Sequence, residues 1–252
     1  MNRLGIIDWG IGGISVYKLI KDRLGVPVTY LSDTGATPYG KMSRAELAHR
    51  LDSVIEFLKT KGVTHLVIGC NAASTAIPFL KDHRIPVEGV IEPAIALTLK
   101  LKPKSLGLIG GRRTVLSGVY RRGFAAGGIR VKQRIAQPLS ALIESGETSS
   151  PAVVGAARQV LTPIRNCSHI LLACTHYPAI VPVMQTLVSP QTTFIDPAGE
   201  LVKKIIRWHL TSDGPDTFIT TGDPAAMKNA AKAAFGAAIE RVERISDREL
   251  GS

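Results

Sequence analysis

An α/β fold made of two similar domains with mainly parallel sheets is predicted by three features of the sequence. Short runs of Val, Ile and Leu alternate with longer amphipathic stretches, one such run recurs later in the chain, and both occurrences end in a cysteine. With 252 residues and 45% hydrophobic content, the chain can bury a substantial core.

The repeat is the most specific signal. Thr64-His-Leu-Val-Ile-Gly-Cys70 reads onto Ser168-His-Ile-Leu-Leu-Ala-Cys174 position by position, with only conservative changes. Val90-Ile-Glu-Pro-Ala94 matches Phe194-Ile-Asp-Pro-Ala198 at the same separation, and Leu4-Gly-Ile-Ile7 matches Leu106-Gly-Leu-Ile109 at nearly the same one. Three matches in one order imply two copies of one unit, packed directly because no low-complexity linker separates them. The expected division is 1–95 plus 208–252 for the first domain and 96–207 for the second. A pseudo-twofold axis then relates them, with the active site in the cleft between.

In chain order, Leu4 to Ile7, Val28 to Leu31, His65 to Gly69 and Val87 to Ile91 read as strands of the first copy. Ser43 to Lys61 is the clearest helix: Ser43 suits an N-cap, Glu46 stands in capping-box register, and Gly62 ends it. Ser105 to Ile109, His169 to Ala173 and Thr193 to Ile195 are the strands predicted for the second copy. The tail adds a strand at Phe218 to Thr221, a helix from Pro224 to Ala234 and a last strand near Ile239 to Val242.

The apolar runs Val63 to Gly69 and His169 to Ala173 are far too short to span a bilayer, and the N-terminus lacks the basic flank and apolar block of a signal peptide. A cytoplasmic protein without a membrane partner is expected. Three cysteines with no C-x-x-C pair favour thiol chemistry over disulfide stapling. The net charge of +11 and pI near 9.8 suit nucleic acid, anionic membrane or an acidic small substrate alike. Basic residues are scattered, as at Lys100, Lys102 and Lys104 or Arg112 and Arg113, without interleaved aromatics or a nucleic-acid-binding motif. The expectation is therefore a solvated basic surface, a small acidic substrate and no nucleic acid.

A lone cysteine after an apolar run is ordinarily a small buried hydrophobe. Cysteine at equivalent ends of two repeated strands, followed by Asn71 in one copy and by Thr175 and His176 in the other, is hard to explain as independent core filling. Cys167, whose counterpart is Val63, reads as structural, as do His65 and His169. In parallel α/β sheets ligands bind at the carboxyl ends of the strands, which is where Cys70 and Cys174 fall. Two thiols facing one cleft suit proton removal and delivery on opposite faces of a carbon, since a thiol pKa of roughly 8.5 is readily poised either way. Helix N-termini after each cysteine are expected to favour the anion and to bind carboxylates.

Four segments resemble the motifs of glutamate racemases, across nearly the whole chain. They are Ile7-Asp8-Trp9-Gly10-Ile11-Gly12-Gly13, Asp33-Thr34-Gly35-Ala36-Thr37-Pro38-Tyr39-Gly40, Cys70-Asn71-Ala72-Ala73-Ser74 and Cys174-Thr175-His176-Tyr177-Pro178. The resemblance implies two α/β domains, an isomerase of the bacterial cell-wall (peptidoglycan) pathway, no pyridoxal phosphate and no metal. It implies that Cys70 acts on the D-enantiomer and Cys174 on the L-enantiomer, with Asp8 and His176 as ancillary groups tuning the thiols. Asn71, Thr175, Pro38, Tyr39 and Gly40 match substrate-contacting positions. A homodimer is left open.

Trp9 stands where the family usually has serine and Ala72 where it has threonine, which opens the question of glutamate against aspartate or another amino acid. The glycines of the Asp8 loop also fit a tight turn with positive φ. A dinucleotide fingerprint fails because Ser15 occupies the third glycine position, and zinc ligation fails for want of closely spaced ligand pairs. Two rivals remain: a superfamily isomerase or decarboxylase using one cysteine as nucleophile or lone acid, and a catalytically weak member that serves as a binding protein.

Overall fold

Ten strands, all paired in parallel, form two sheets in the computed structural model, which describes residues 2–251. The first sheet contains β1 (Leu4–Asp8), β2 (Val28–Ser32), β3 (His65–Ile68) and β4 (Val87–Gly89), and the second contains β5 (Leu106–Gly110), β6 (Val131–Ile135), β7 (His169–Ala173) and β8 (Thr193–Ile195). The chain then returns to the first sheet through β9 (Thr217–Thr220) and β10 (Glu243–Arg244). The strand orders are β10-β9-β2-β1-β3-β4 and β6-β5-β7-β8.

The order β2-β1-β3-β4 repeats as β6-β5-β7-β8, so the two units share a topology as well as a sequence motif. The register repeats too: Leu4 of β1 faces His65 of β3, and Leu106 of β5 faces His169 of β7. Each histidine Nδ1 lies beside the hydroxyl of the preceding residue, Thr64 at 3.0 Å and Ser168 at 3.1 Å. Both stand at the amino ends of their strands, remote from the carboxyl-end chemistry, in keeping with a structural role.

The central strands β1, β2 and β5 are buried along their whole length, which is why they read as mainly apolar runs. β6 escapes that rule: Val131-Lys-Gln-Arg-Ile135 is a half-exposed edge strand, and its polar residues conceal it from a search for apolar runs. The last strand lies slightly later than predicted, at Glu243–Arg244, where main-chain pairing to Ile219 and Thr220 decides its place although both side chains are exposed.

Helix Arg44–Thr60 begins at the predicted capping box, the Ser43 amide donating to Glu46 Oε2 at 2.7 Å and the Glu46 amide to Ser43 Oγ at 3.3 Å. Gly62, at φ +84°, supplies the left-handed residue that ends this segment. Helix Ala198–Ile206 packs on both Ile14–Leu24 and Ile91–Leu101, bridging the units. One apolar core accordingly runs from Leu4, Ile6 and Ile14 through Leu201 and Ile205 to Ile109 and Ile170. Among the described residues, no helix is long and apolar enough to cross a membrane.

Candidate active site

Between the carboxyl ends of the two sheets lies a cavity of about 310 Å3. Each position singled out in the sequence lines it: Cys70 and Cys174, Asp8 and His176, and Trp9, Pro38, Tyr39, Gly40, Asn71, Ala72 and Thr175. Topology explains the convergence. Asp8 ends β1 and Cys70 follows β3, so parallel strands bring both to one rim of the first sheet, while Cys174 follows β7 at the corresponding rim of the second, and the cavity joins the two rims. Cys167 is buried in the apolar core and takes no part in the cavity.

Asp8 ties the halves together. Its Oδ2 accepts a hydrogen bond from Thr175 Oγ1 at 3.0 Å, while Oδ1 accepts from the Trp9 amide at 2.6 Å. The Cys70 thiol lies near enough to this carboxylate for each to shift the other's pKa. In the second unit, Cys174 Sγ lies 3.6 Å from His176 Nδ1, and the far ring nitrogen, Nε2, lies 2.7 Å from Glu144 Oε2. The same glutamate oxygen accepts the Ile11 amide at 2.9 Å, so Glu144 joins the glycine loop of one unit to the histidine of the other.

The sequence profile of the family described as Asp/Glu/Hydantoin racemase matches residues 4–205. The chain belongs to this family. It is an amino-acid racemase, and the glutamate racemase of Beutenbergia cavernae is 32% identical over 268 residues, spanning 95% of this chain and 91% of the relative. That of Bacillus cereus is 32% identical, with 97% of each chain covered. Among solved structures, the glutamate racemase of Thermus thermophilus in complex with β-chloro-D-alanine superposes with a TM-score of 0.86 at 28% identity, over 98% of each chain. That of Francisella tularensis in complex with D-glutamate gives 0.87 at 25% identity, over 97% of each.

The two thiols of this racemase have unlike surroundings. Burial and the neighbouring Asp8 carboxylate push the Cys70 thiol well above its ordinary pKa, so Cys70 rests protonated. Burial also raises Asp8, against the opposing charge of His176. For His176, burial disfavours the imidazolium, but hydrogen bonds to Cys174 and Glu144 outweigh it and hold the ring protonated well above the usual histidine range. A charged His176 gives the Cys174 sulfur a hydrogen-bond donor and a counter-charge.

The loop glycines serve a different end from the one predicted. Gly10, Gly12 and Gly13 are not among the positive-φ glycines; what they provide is room. A Cβ on Gly12 would stand 2.5 Å from His176 Nδ1 and 2.6 Å from Thr175 Oγ1, and one on Gly10 would collide with the Glu144 carboxylate. We expect Gly12→Ala to fold yet lose about tenfold or more in kcat/KM, because displacing His176 by a fraction of an ångström disturbs the thiol it serves. Circular dichroism beside steady-state kinetics checks this, and wild-type turnover would show that the close approach is dispensable.

The predicted helix N-termini behind the thiols are also corrected. Cys70 precedes one turn, Asn71–Ser74, and Cys174 is followed by a 3-10 turn at Tyr177–Ile180, so neither has a long helix whose dipole could stabilise an anion. At Cys174 the His176 imidazolium takes that role; at Cys70 the Ala73 amide of the short turn favours the anion, but burial and Asp8 outweigh it. Glu144 carries no signature in the sequence, since it lies in a helix, Gln137–Glu144, outside every recognised motif. Thr114, Gln137 and Ser140 also line the cavity without having been foreseen. The one available signal was topological: a second copy needs its own segments after β5, where Thr114 lies, and after β6, where Gln137, Ser140 and Glu144 lie, and both must face the cleft.

Proposed function

We propose that this racemase interconverts L- and D-glutamate without a cofactor, through two bases on opposite faces of the α-carbon. The observation that carries the reading is the presence of both thiols on one cavity, Cys70 beside Asp8 and Cys174 beside His176. In the L-to-D direction the Cys174 thiolate removes the α-proton and Cys70 delivers its own to the other face. The cycle ends with a Cys174 thiol and a Cys70 thiolate; the reverse reaction restores the first state. No net proton is consumed. The D-glutamate formed suits a role in peptidoglycan synthesis.

Two buried polar atoms in the cavity wall support an ionic substrate. Asn71 Oδ1 accepts the Tyr120 hydroxyl at 2.6 Å, but Asn71 Nδ2 has no partner, and neither has Thr114 Oγ1. Buried donors without partners are costly unless a ligand satisfies them, and substrate carboxylates would do so. Trp9 forms part of the wall, its indole N–H donating to the Ala36 carbonyl at 3.2 Å. Ala72 lines the cavity with a methyl group where a hydroxyl is usual in the resembled motif.

The test is exchange of the α-hydrogen in D2O, with glutamate and aspartate compared, after dialysis against chelator and without added pyridoxal phosphate. Exchange from both enantiomers of glutamate is expected; no exchange, or activity that a divalent metal must restore, would overturn the reading. For specificity, Ala72→Thr is expected to raise kcat/KM for glutamate by several-fold, in line with about 0.5–1.5 kcal/mol for one hydrogen bond. A Trp9→Ser variant that shifts the glutamate-to-aspartate ratio would assign the ring to side-chain selection, whereas an unchanged ratio would leave it as wall alone.

A further inference from the structure

Beside the substrate cavity lies a second recess of about 450 Å3 that shares Gly40, Arg112 and Arg113 with it. Four arginines from three helices line this recess: Arg44 of Arg44–Thr60, Arg112 and Arg113 of Arg112–Ser117, and Arg122 of Val119–Ala126. No ion pair joins any of the four to a carboxylate among the described residues. Arg44 sits over the Phe79 ring, 4.5 Å from its centroid. Arg113 is fixed through Nε to Thr75 Oγ1 at 3.0 Å and through Nη1 to the Met42 carbonyl at 2.6 Å. These are neutral acceptors, so they orient the guanidinium without cancelling its charge.

Such an arrangement is unfavourable in the empty protein. Like charges gathered in a concave site repel one another, and burial together with Arg44 pulls the Arg113 pKa below its ordinary value. Some cations elsewhere meet carboxylates, as where Lys204 lies 2.8 Å from Glu88 and 3.2 Å from Glu92, whereas these four stand together without an ion pair among the described residues. We infer that the Arg44, Arg112, Arg113 and Arg122 recess binds a small multiply charged anion of the polyphosphate or polycarboxylate class. Guanidinium forks match the oxygens of both groups, and four of them lining one recess suit a ligand with more than one anionic group. The recess is concave and localised, whereas duplex nucleic acid calls for an extended basic track.

The experiment is calorimetric titration with inorganic pyrophosphate and, separately, citrate at fixed ionic strength, on wild type and on Arg44→Ala/Arg122→Ala. Both substituted residues lie outside the substrate cavity, so racemisation without added anion should be unchanged. One anion should bind with one-to-one stoichiometry, and the double variant should weaken it by about tenfold or more. Tighter pyrophosphate assigns the recess to phosphates, tighter citrate to carboxylates. Binding of neither anion, equal affinity in the variant, or displacement of the anion by a short DNA duplex in a strongly salt-dependent manner would overturn the inference. If Arg44→Ala disturbs its helix, Arg122→Ala alone supports the same comparison.

Discussion

Replacing Cys70 or Cys174 with serine is expected to lower kcat/KM about a thousand-fold or more, the upper range for loss of a positioned acid or base. Serine keeps the shape but offers a far weaker acid, and its neighbours are arranged for sulfur. The two variants should differ in what survives. Cys174→Ser should still wash the α-hydrogen of D-glutamate into D2O through Cys70, while exchange from L-glutamate vanishes; Cys70→Ser should show the converse. Cys167→Ala, in the core and outside the cavity, should retain most activity while losing stability. If either cavity-lining variant racemised at the wild-type rate, a two-base reaction would be excluded.

His176→Asn is expected to cost about a hundred-fold, because it removes the charged donor beside Cys174 and leaves Glu144 Oε2 with only the Ile11 amide in place of the imidazolium. Glu144→Gln is the finer probe. It keeps the volume and an acceptor for the Ile11 amide but removes a negative charge that raises the His176 pKa. The alkaline limb of the kcat/KM profile should therefore move to lower pH, a shift that mere loosening of the loop would not produce. Stability follows the same sign: since the folded-state pKa of His176 is raised, its contribution is fully present below the unfolded value near 6.5 and fades as pH rises through the folded one. An unmoved alkaline limb in Glu144→Gln would separate Glu144 from the titration of His176.

Much of this site was legible because its parts fall where sequence patterns are strong. Asp8, Cys70 and Cys174 each end or follow a strand of a repeated unit, and parallel topology sends such positions to the carboxyl rim of each sheet. The second layer was hidden for identifiable reasons. Glu144 and Thr114 act through tertiary approach, and no local spacing encodes the 2.7 Å contact between residues as far apart as Glu144 and His176. β6 was obscured by its polar edge, although the order β2-β1 in the first unit required a partner for β5 in the second. The loop glycines were correctly noticed and wrongly explained, since crowding leaves no trace in a turn motif.

The unequal settings of the two sulfurs bear on kinetics in a way that a specificity constant conceals. Mirror-image amino acids have the same free energy in water, so the equilibrium constant is unity and kcat/KM must be equal in both directions at every pH, whatever surrounds each thiol. The carboxylate beside Cys70 and the imidazolium beside Cys174 cannot favour one enantiomer overall. In the two-thiol reaction proposed above, they set instead which protonation form of the unliganded enzyme predominates: the one ready for L, or the one left behind after L has been converted. At high substrate concentration the return of a proton from one sulfur to the other, in the absence of any amino acid, becomes part of the cycle. The geometry of the empty cleft then governs throughput as much as the geometry of the filled one.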